Sequence, residues 1–501
     1  MVSEPDFGAI LADETKLART ILKWSTEHLL TRQASYSSGY RDADETDVVS
    51  LTWDGHPPEW LEGSLFRNGP GRYDRGRVEV SHWFDGLAML HGFHLSPKGV
   101  QYHSRFVRSH DFRVSEQEGT IASPGFACDP CRSIFRKVAS AFLVDATDNP
   151  NVSLVKQGDR FLALTELPIP MMFDPETLRS KGPVVYNDSL PPGSTTAHPH
   201  QDGKALYNQV LHYSGLTSYR LYTQENLKER QEFARIKVKE ASYVHSFGLS
   251  EDYVILTCCP FQVAPLKLLV RNKPFIHNFE WKPRHGTRFH LAPRPGKKAK
   301  QLTLNTEPFF CFHHVNSFQQ NGKLYVDLIC YPDADIIHQL SLERLRNDRA
   351  IDFGKLRRYE IDPQEETIKR LWESAHCIEL TRFHYTRCNT RPYRFLYGVS
   401  ADENESVFYD RIKKLDVSND SALTWYQPGN FPGEPIFVAR PGSTEEDDGV
   451  LLSVVLNGQK ETSFLLVLNA HDLREIARVN LPVAVPHGFH GLFHREFKDT
   501  E

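Results

Sequence analysis

The sequence predicts an all-β fold, and within it a seven-bladed β-propeller. Three observations carry that prediction. From about Val48 onward, short β-rich runs recur along the chain and turn residues set them apart. Four histidines in similar aromatic or Pro/Gly-bounded settings, His198, His245, His313 and His490, are spaced 47, 68 and 177 residues apart. A four-stranded unit with long outer loops matches the first two spacings, and the 501-residue chain holds about seven such units. No clean repeat is visible, so the blades are degenerate. In such a toroid the innermost strands converge on the axis, where side chains distant in sequence meet.

The first element in chain order is a helix over 13–30, with Leu17, Ile21 and Trp24 at i, i+4, i+7 spacing. It is expected to be an appendage over 1–35, followed by one catalytic body over 36–501. Strands are expected over 161–166, 205–213, 253–257, 324–331, 450–456 and 464–468. Asn457-Gly458 suits a tight hairpin between the last two.

Composition narrows the function. A net charge of −5 and the lack of a sustained basic stripe argue against nucleic acid as the main partner. Arg284 to Lys300 is locally basic, but Pro293, Pro295 and Gly296 make it read as a solvated hairpin loop. Eight cysteines, with Cys258 and Cys259 adjacent and most others in or beside apolar runs, suit buried thiols in a reducing, cytoplasmic compartment. Cys128-Asp-Pro-Cys131 has no second pair at zinc spacing and reads as a loop pair. No signal peptide is expected, because Lys16, Arg19, Lys23 and Glu27 interrupt the apolar pattern of 15–30. No apolar run is long enough for a bilayer-spanning helix.

The histidines carry the chemistry. They lie in Thr196-Ala-His-Pro-His200, Tyr243-Val-His-Ser-Phe-Gly248, Cys311-Phe-His-His-Val-Asn316 and Pro486-His-Gly-Phe-His490. Neutral imidazole suits iron, zinc, copper and nickel, and no thiolate motif stands nearby to favour zinc. Four nitrogen donors without a carboxylate leave the metal its full charge and room for further ligands, which suits an iron open to dioxygen. Spacing alone does not choose the metal, and scattered core histidines are the other reading. Metal-bound imidazole usually donates its second N–H to an acceptor. Three glutamates in apolar contexts are candidates: Glu166 after 161–165, Glu379 in Cys377-Ile-Glu-Leu380, and Glu434 in Phe431-Pro-Gly-Glu-Pro-Ile-Phe437.

These residues bring out a resemblance. The chain resembles the carotenoid cleavage oxygenases, most closely the animal-type branch with the β-carotene oxygenases and the retinoid isomerase. The resemblance runs from about Leu65 to Phe493. It includes Phe66-Arg-Asn-Gly-Pro-Gly71, His82-Trp-Phe-Asp-Gly86, Asp129-Pro-Cys131, Glu445-Glu-Asp-Asp-Gly449 and Phe489-His-Gly-Leu-Phe493, besides the histidine and Glu434 motifs. It implies a seven-bladed propeller with a loop and helix cap over an axial Fe(2+). The implied ligands are His198, His245, His313 and His490, backed by Glu166, Glu379 and Glu434. His200, His314 and His487 fall outside that set. The implied reaction is oxidative cleavage of a conjugated double bond of a carotenoid or apocarotenoid by O2 to give aldehydes, with central cleavage of β-carotene type substrates to retinal as the expectation. A retinyl-ester isomerohydrolase and a stilbene-cleaving dioxygenase are the alternatives, and a non-enzymatic carotenoid binder is a third.

The resemblance also assigns the substrate tunnel and a membrane face. Val152 falls beside the open iron position. Thr165 stands where stilbene-cleaving relatives carry a lysine for the substrate's phenol. Glu118 stands where relatives place an aromatic, which points to a tunnel that admits a more polar ring. The basic amphipathic segment after Cys131, with Ile134, Phe135, Val138, Phe142 and Leu143, corresponds to a tunnel mouth that dips into a membrane surface. The stretch 261–279, with Leu266, Leu268, Leu269 and Phe275, would be its partner patch. Lipid modification of Cys131 is left open.

Overall fold

The computed structural model describes residues 35–128, 147–213, 217–264, 267 and 273–495. The helix expected over 13–30 lies outside them. So do Cys131 and the amphipathic segment that follows it.

The fold is all-β, with few and short helices among the described residues. Their antiparallel strands form eight sheets, seven of them with four or more strands. Local sequence makes them so. In Leu302–Thr306 the residues Leu302 and Leu304 are buried while Thr303 and Asn305 are exposed, the two-residue period of a strand with one covered face. Central strands such as Tyr253–Cys258 are buried along their whole length.

Most sheets are built from consecutive strands. Phe310–Gln320, Lys323–Tyr331, Lys355–Asp362 and Thr367–Cys377 pair in that order, as do Glu379–Arg382, Phe395–Ser400, Arg411–Asp416 and Ser421–Tyr426. Two pairings instead join distant parts of the chain. Gly491–His494 adds to Gly63–Arg72, with Leu492 opposite Phe66. Asp54–Gly55 adds to Glu475–Asn480.

The expected strands are present with small shifts: Arg160–Leu164, Ala205–His212, Tyr253–Cys258, Lys323–Tyr331, Gly449–Asn457 and Thr462–Asn469. The last two are joined by residues 458–461, not by a two-residue turn. Asn457 Oδ1 accepts from the backbone N–H of Gln459 and Lys460, and Glu461 takes a left-handed φ of 49°.

One reading is corrected. Residues 284–300 are not one solvated loop, because Thr287–Pro293 is a strand paired with Tyr253–Cys258. Its Phe289 and Leu291 alternate into the core, and the basic character comes from Arg288 on the other face and from the loop after Pro293.

The longest described α-helix, His110–Glu118, opens at Ser109, whose Oγ accepts from the Phe112 N–H at 3.0 Å. It ends at Gly119, whose φ of 62° suits a residue without Cβ.

Candidate metal centre

Three of the four histidines lie just outside strands, and the fourth lies within one. His198 lies between Ser194–Thr195 and His200–Asp202, and His245 between Ala241–Ser242 and Gly248–Leu249. His313 is inside Phe310–Gln320, where the register with the next strand shifts between Cys311 and His314. His490 immediately precedes Gly491–His494.

Their rings converge. One nitrogen from each lies within 4.8 Å of the others, and ring centroids stand 4.6 Å apart for His198–His490 and 5.1 Å for His313–His490. His198 Nε2 and His245 Nε2 approach to 3.0 Å. His313 Nε2 is buried with no hydrogen-bond partner. A buried polar atom left unpaired is costly, and a metal ion at the convergence point would satisfy it. Four imidazole nitrogens without thiolate fit a borderline or transition metal.

Behind three of the rings stands a carboxylate. Glu166 Oε1 is 2.6 Å from His245 Nδ1 and accepts from the Tyr243 hydroxyl at 2.7 Å. Glu379 Oε2 is 2.7 Å from His313 Nδ1, and its Oε1 accepts from the Tyr331 hydroxyl at 3.2 Å. Glu434, fully buried, is 2.8 Å from His490 Nδ1. It also accepts from Arg67 Nη1, Arg382 Nε and the Gly491 N–H, each at 2.8 Å. A carboxylate on Nδ1 holds the proton there and leaves the Nε2 lone pair facing the centre.

The electrostatics favour neutral His198 and His490 and ionised Glu379 and Glu434. Burial, then the neighbouring His490, His245 and His313, pushes His198 well below its ordinary value. Burial likewise takes His490 down to about 4, against the pull of Glu434. Burial alone would raise the Glu434 carboxyl, but Arg382, His490 and Arg67 outweigh it and hold it far below the usual carboxylate range. In Glu379, burial is outweighed by His313 and by hydrogen bonds from His313, Leu380 and Tyr331, so it too is lowered.

The neighbouring histidines face elsewhere. His200 uses Nε2 on the Phe247 carbonyl at 2.8 Å and Nδ1 on the Tyr385 hydroxyl at 3.0 Å. His314 lies 2.9 Å from Ser246 Oγ and 2.8 Å from Thr257 Oγ1. His487 Nε2 bonds the Tyr36 carbonyl at 3.1 Å.

A cavity of about 420 Å³ opens onto the rings of His245, His313 and His490, walled by Phe84, Phe126, Phe312 and Phe489. Val152 and Thr165 line it. Glu118 is exposed at the end of its helix, and the wall in that region is formed by Thr120 and Ile121. In the stretch 261–279, Phe261, Ile276 and Phe279 are buried, with the Phe261 and Phe279 rings 5.4 Å apart. Those ends belong to the core, and Leu266, Leu268 and Leu269 lie outside the described residues. Among the described residues, no helix is long and apolar enough to cross a membrane.

Sequence reasoning missed Tyr243, Tyr331, Arg67 and Arg382. Tyr243 carried a usable signal, two residues before His245 with one residue between them. Arg67 lies inside a motif of the resemblance, but nothing local pairs it with Glu434.

A protein-family model described as retinal pigment epithelial membrane protein, RPE65, matches residues 40–495, and the chain belongs to that family. The mitochondrial carotenoid-cleaving dioxygenase of Mustela putorius furo is 32% identical, covering 89% of this chain and 94% of the relative. The β,β-carotene 15,15'-dioxygenase of Rattus norvegicus is 30% identical, with 91% and 90% covered. Among solved structures, an ACO/RPE65 chimera superposes with a TM-score of 0.81 at 26% identity, over 92% of this chain and 98% of the other. Cobalt-substituted Synechocystis ACO gives 0.80 at 26% identity, with the same coverage.

Proposed function

We propose that His198, His245, His313 and His490 hold Fe(II), and that the protein cleaves a conjugated double bond of a carotenoid or apocarotenoid with O2. The observation that carries this reading is the unpartnered His313 Nε2, facing three other ring nitrogens at the wall of an aromatic cavity. The relatives named carotenoid-cleaving dioxygenase and β,β-carotene 15,15'-dioxygenase support the reaction class. The second of these supports the central bond, with retinal as the product from β-carotene.

The wider reading follows from the same support. Residues 36–501 form one catalytic body, a seven-bladed ring with a cap, and 1–35 an appendage. Seven sheets of four or more strands and the likeness to the ACO/RPE65 chimera support this. The protein docks on a membrane surface through the segment after Cys131, without spanning it.

When bound, the iron supplies the activation of dioxygen. The chain's own residues do the rest. Phe84, Phe126, Phe312 and Phe489 hold an extended polyene and exclude water from it. Glu166, Glu379 and Glu434 keep three rings in one tautomer and one orientation. The reaction moves no proton: the C=C bond breaks, both oxygen atoms of O2 enter the products, and two carbonyls form. No general acid or base is therefore needed.

Product analysis by liquid chromatography after aerobic incubation with a panel of polyenes tests the proposal. Retinal or an apocarotenal is the expected product. Retinol from a retinyl ester without oxygen uptake would overturn it in favour of the isomerohydrolase.

A further inference from the structure

The aromatic cavity has one polar corner that the cleavage chemistry does not use. Arg75 and Asp111 both line the cavity, and they are only 6% and 7% exposed. Arg75 Nη2 donates to the Asp85 carbonyl at 2.6 Å, while its Nε and Nη1 have no hydrogen-bond partner. Asp111 Oδ2 accepts from the Thr147 hydroxyl, while Oδ1 has no partner. Asp85 does not fill the gap: its carboxylate oxygens accept from the N–H groups of Phe126 and Ala127 at 2.7 and 2.8 Å, and neither Nε nor Nη1 of Arg75 bonds to them. Asp111 lies within electrostatic reach of Arg75. A buried cation and a buried carboxylate, each with unused hydrogen-bonding capacity, are costly unless a further group completes them.

Aromatic rings connect this corner to the four histidines. Phe312 stands 5.4 Å from His245, Phe84 is 6.0 Å from Phe312, and Phe126 is 5.0 Å from Phe84. The backbone N–H of Phe126 then reaches Asp85. A polyene lying along these rings with its scissile bond at the histidines directs one end toward Arg75 and Asp111.

We infer that Arg75 and Asp111 bind the hydroxyl of an oxygenated end ring, so that the preferred substrates are ring-hydroxylated carotenoids or apocarotenoids. This rests on the cleavage reading and narrows its substrate class. A hydroxyl accepts one hydrogen bond from the guanidinium and donates one to the Asp111 carboxylate, which matches the unused donor and acceptor. A carboxylate-ended substrate would pair with Arg75 but face the like charges of Asp111 and Asp85. A hydrocarbon ring would leave both groups unpaired.

The test is a ratio: kcat/KM for a ring-hydroxylated polyene over kcat/KM for the same polyene with an unsubstituted ring. The ratio does not depend on the fraction of protein folded or loaded with metal. The wild-type protein is expected to favour the hydroxylated substrate on the order of tenfold or more. Arg75→Met and Asp111→Asn should each bring the ratio toward one, and if Arg75→Met fails to fold, Asp111→Asn carries the comparison. A wild-type ratio near one would overturn the inference and mean that the two groups hold only water. A large ratio unchanged in both variants would overturn it as well. Cleavage of neither polyene by the wild-type protein would overturn the proposed function, and this inference with it.

Discussion

His313 Nδ1 lies 2.7 Å from Glu379 Oε2, and Nε2 of the same ring has no hydrogen-bond partner. One nitrogen is committed to a carboxylate and the other is left for the centre. Retention of metal is thus the property that separates the converging rings from their neighbours. His245→Ala should lose most bound iron and all cleavage. His200→Ala should keep its iron, because both its ring nitrogens serve Phe247 and Tyr385. Metal analysis of the purified variants reads this directly, and full iron content in His245→Ala would remove that residue from the ligand set.

The three carboxylates should not respond alike to neutralisation. Glu434 compensates two guanidinium groups, and Arg67 is 5% exposed. Glu434→Gln leaves that buried cation unpaired, at a cost of roughly 3–5 kcal/mol, besides weakening metal binding by about 10–100-fold. Glu166→Gln faces only a tyrosine hydroxyl and the His245 ring, so it should show the metal effect with a much smaller loss of stability. Urea denaturation beside metal titration distinguishes the two. Equal behaviour of both variants would mean that the arginines do not depend on Glu434.

Stability should fall on mild acidification. Burial pushes His82, His290 and His487 from an ordinary value of 6.5 down to about 4, and His91 to about 3. These bases take up a proton more readily unfolded than folded. Their sign is therefore fixed: stability is retained above pH 6.5 and drains away as pH falls from there toward 4. Each contributes at most about 1.4 kcal/mol per pH unit. The urea midpoint should be clearly lower at pH 5 than at pH 7, and identical midpoints would contradict this.

Thr165 bears on substrate class. It lines the cavity one residue before Glu166, and a threonine supplies no cation to a phenolate. Hydroxystilbene should be a poor substrate beside any carotenoid that is cleaved. Rapid hydroxystilbene cleavage with no apocarotenal or retinal from a carotenoid panel would favour the stilbene-cleaving alternative.

Membrane docking is tested by Phe135→Asp together with Phe142→Asp. The double variant should leave liposomes while still turning over a detergent-solubilised short substrate. Unchanged liposome binding would return both side chains to the core.

The fold class was legible because strand periodicity and turn residues are local signals. The four histidines were legible because each stands in a distinctive short motif, and the glutamates because a carboxylate in an apolar run is unusual. Partnerships across the fold were not. Arg67 and Glu434 are 367 residues apart, so no window of sequence shows one neutralising the other. Glu118 misled because a substitution was visible in the chain, but the direction its helix faces was not. The same blindness hid the unused donors of Arg75, which follow from its guanidinium meeting the backbone carbonyl of Asp85 and not its carboxylate.

The pairing of Gly491–His494 with Gly63–Arg72 has a consequence for biogenesis. The strand that follows His490 can dock only onto residues made more than four hundred positions earlier. Until His490 itself is made, three of the four rings exist and the fourth does not. A chain that stops short of His490 therefore holds only three of the four converging rings. Such chains should be recognisable in the cell by weak, exchangeable metal and by an unpaired edge along Gly63–Arg72 that invites aggregation.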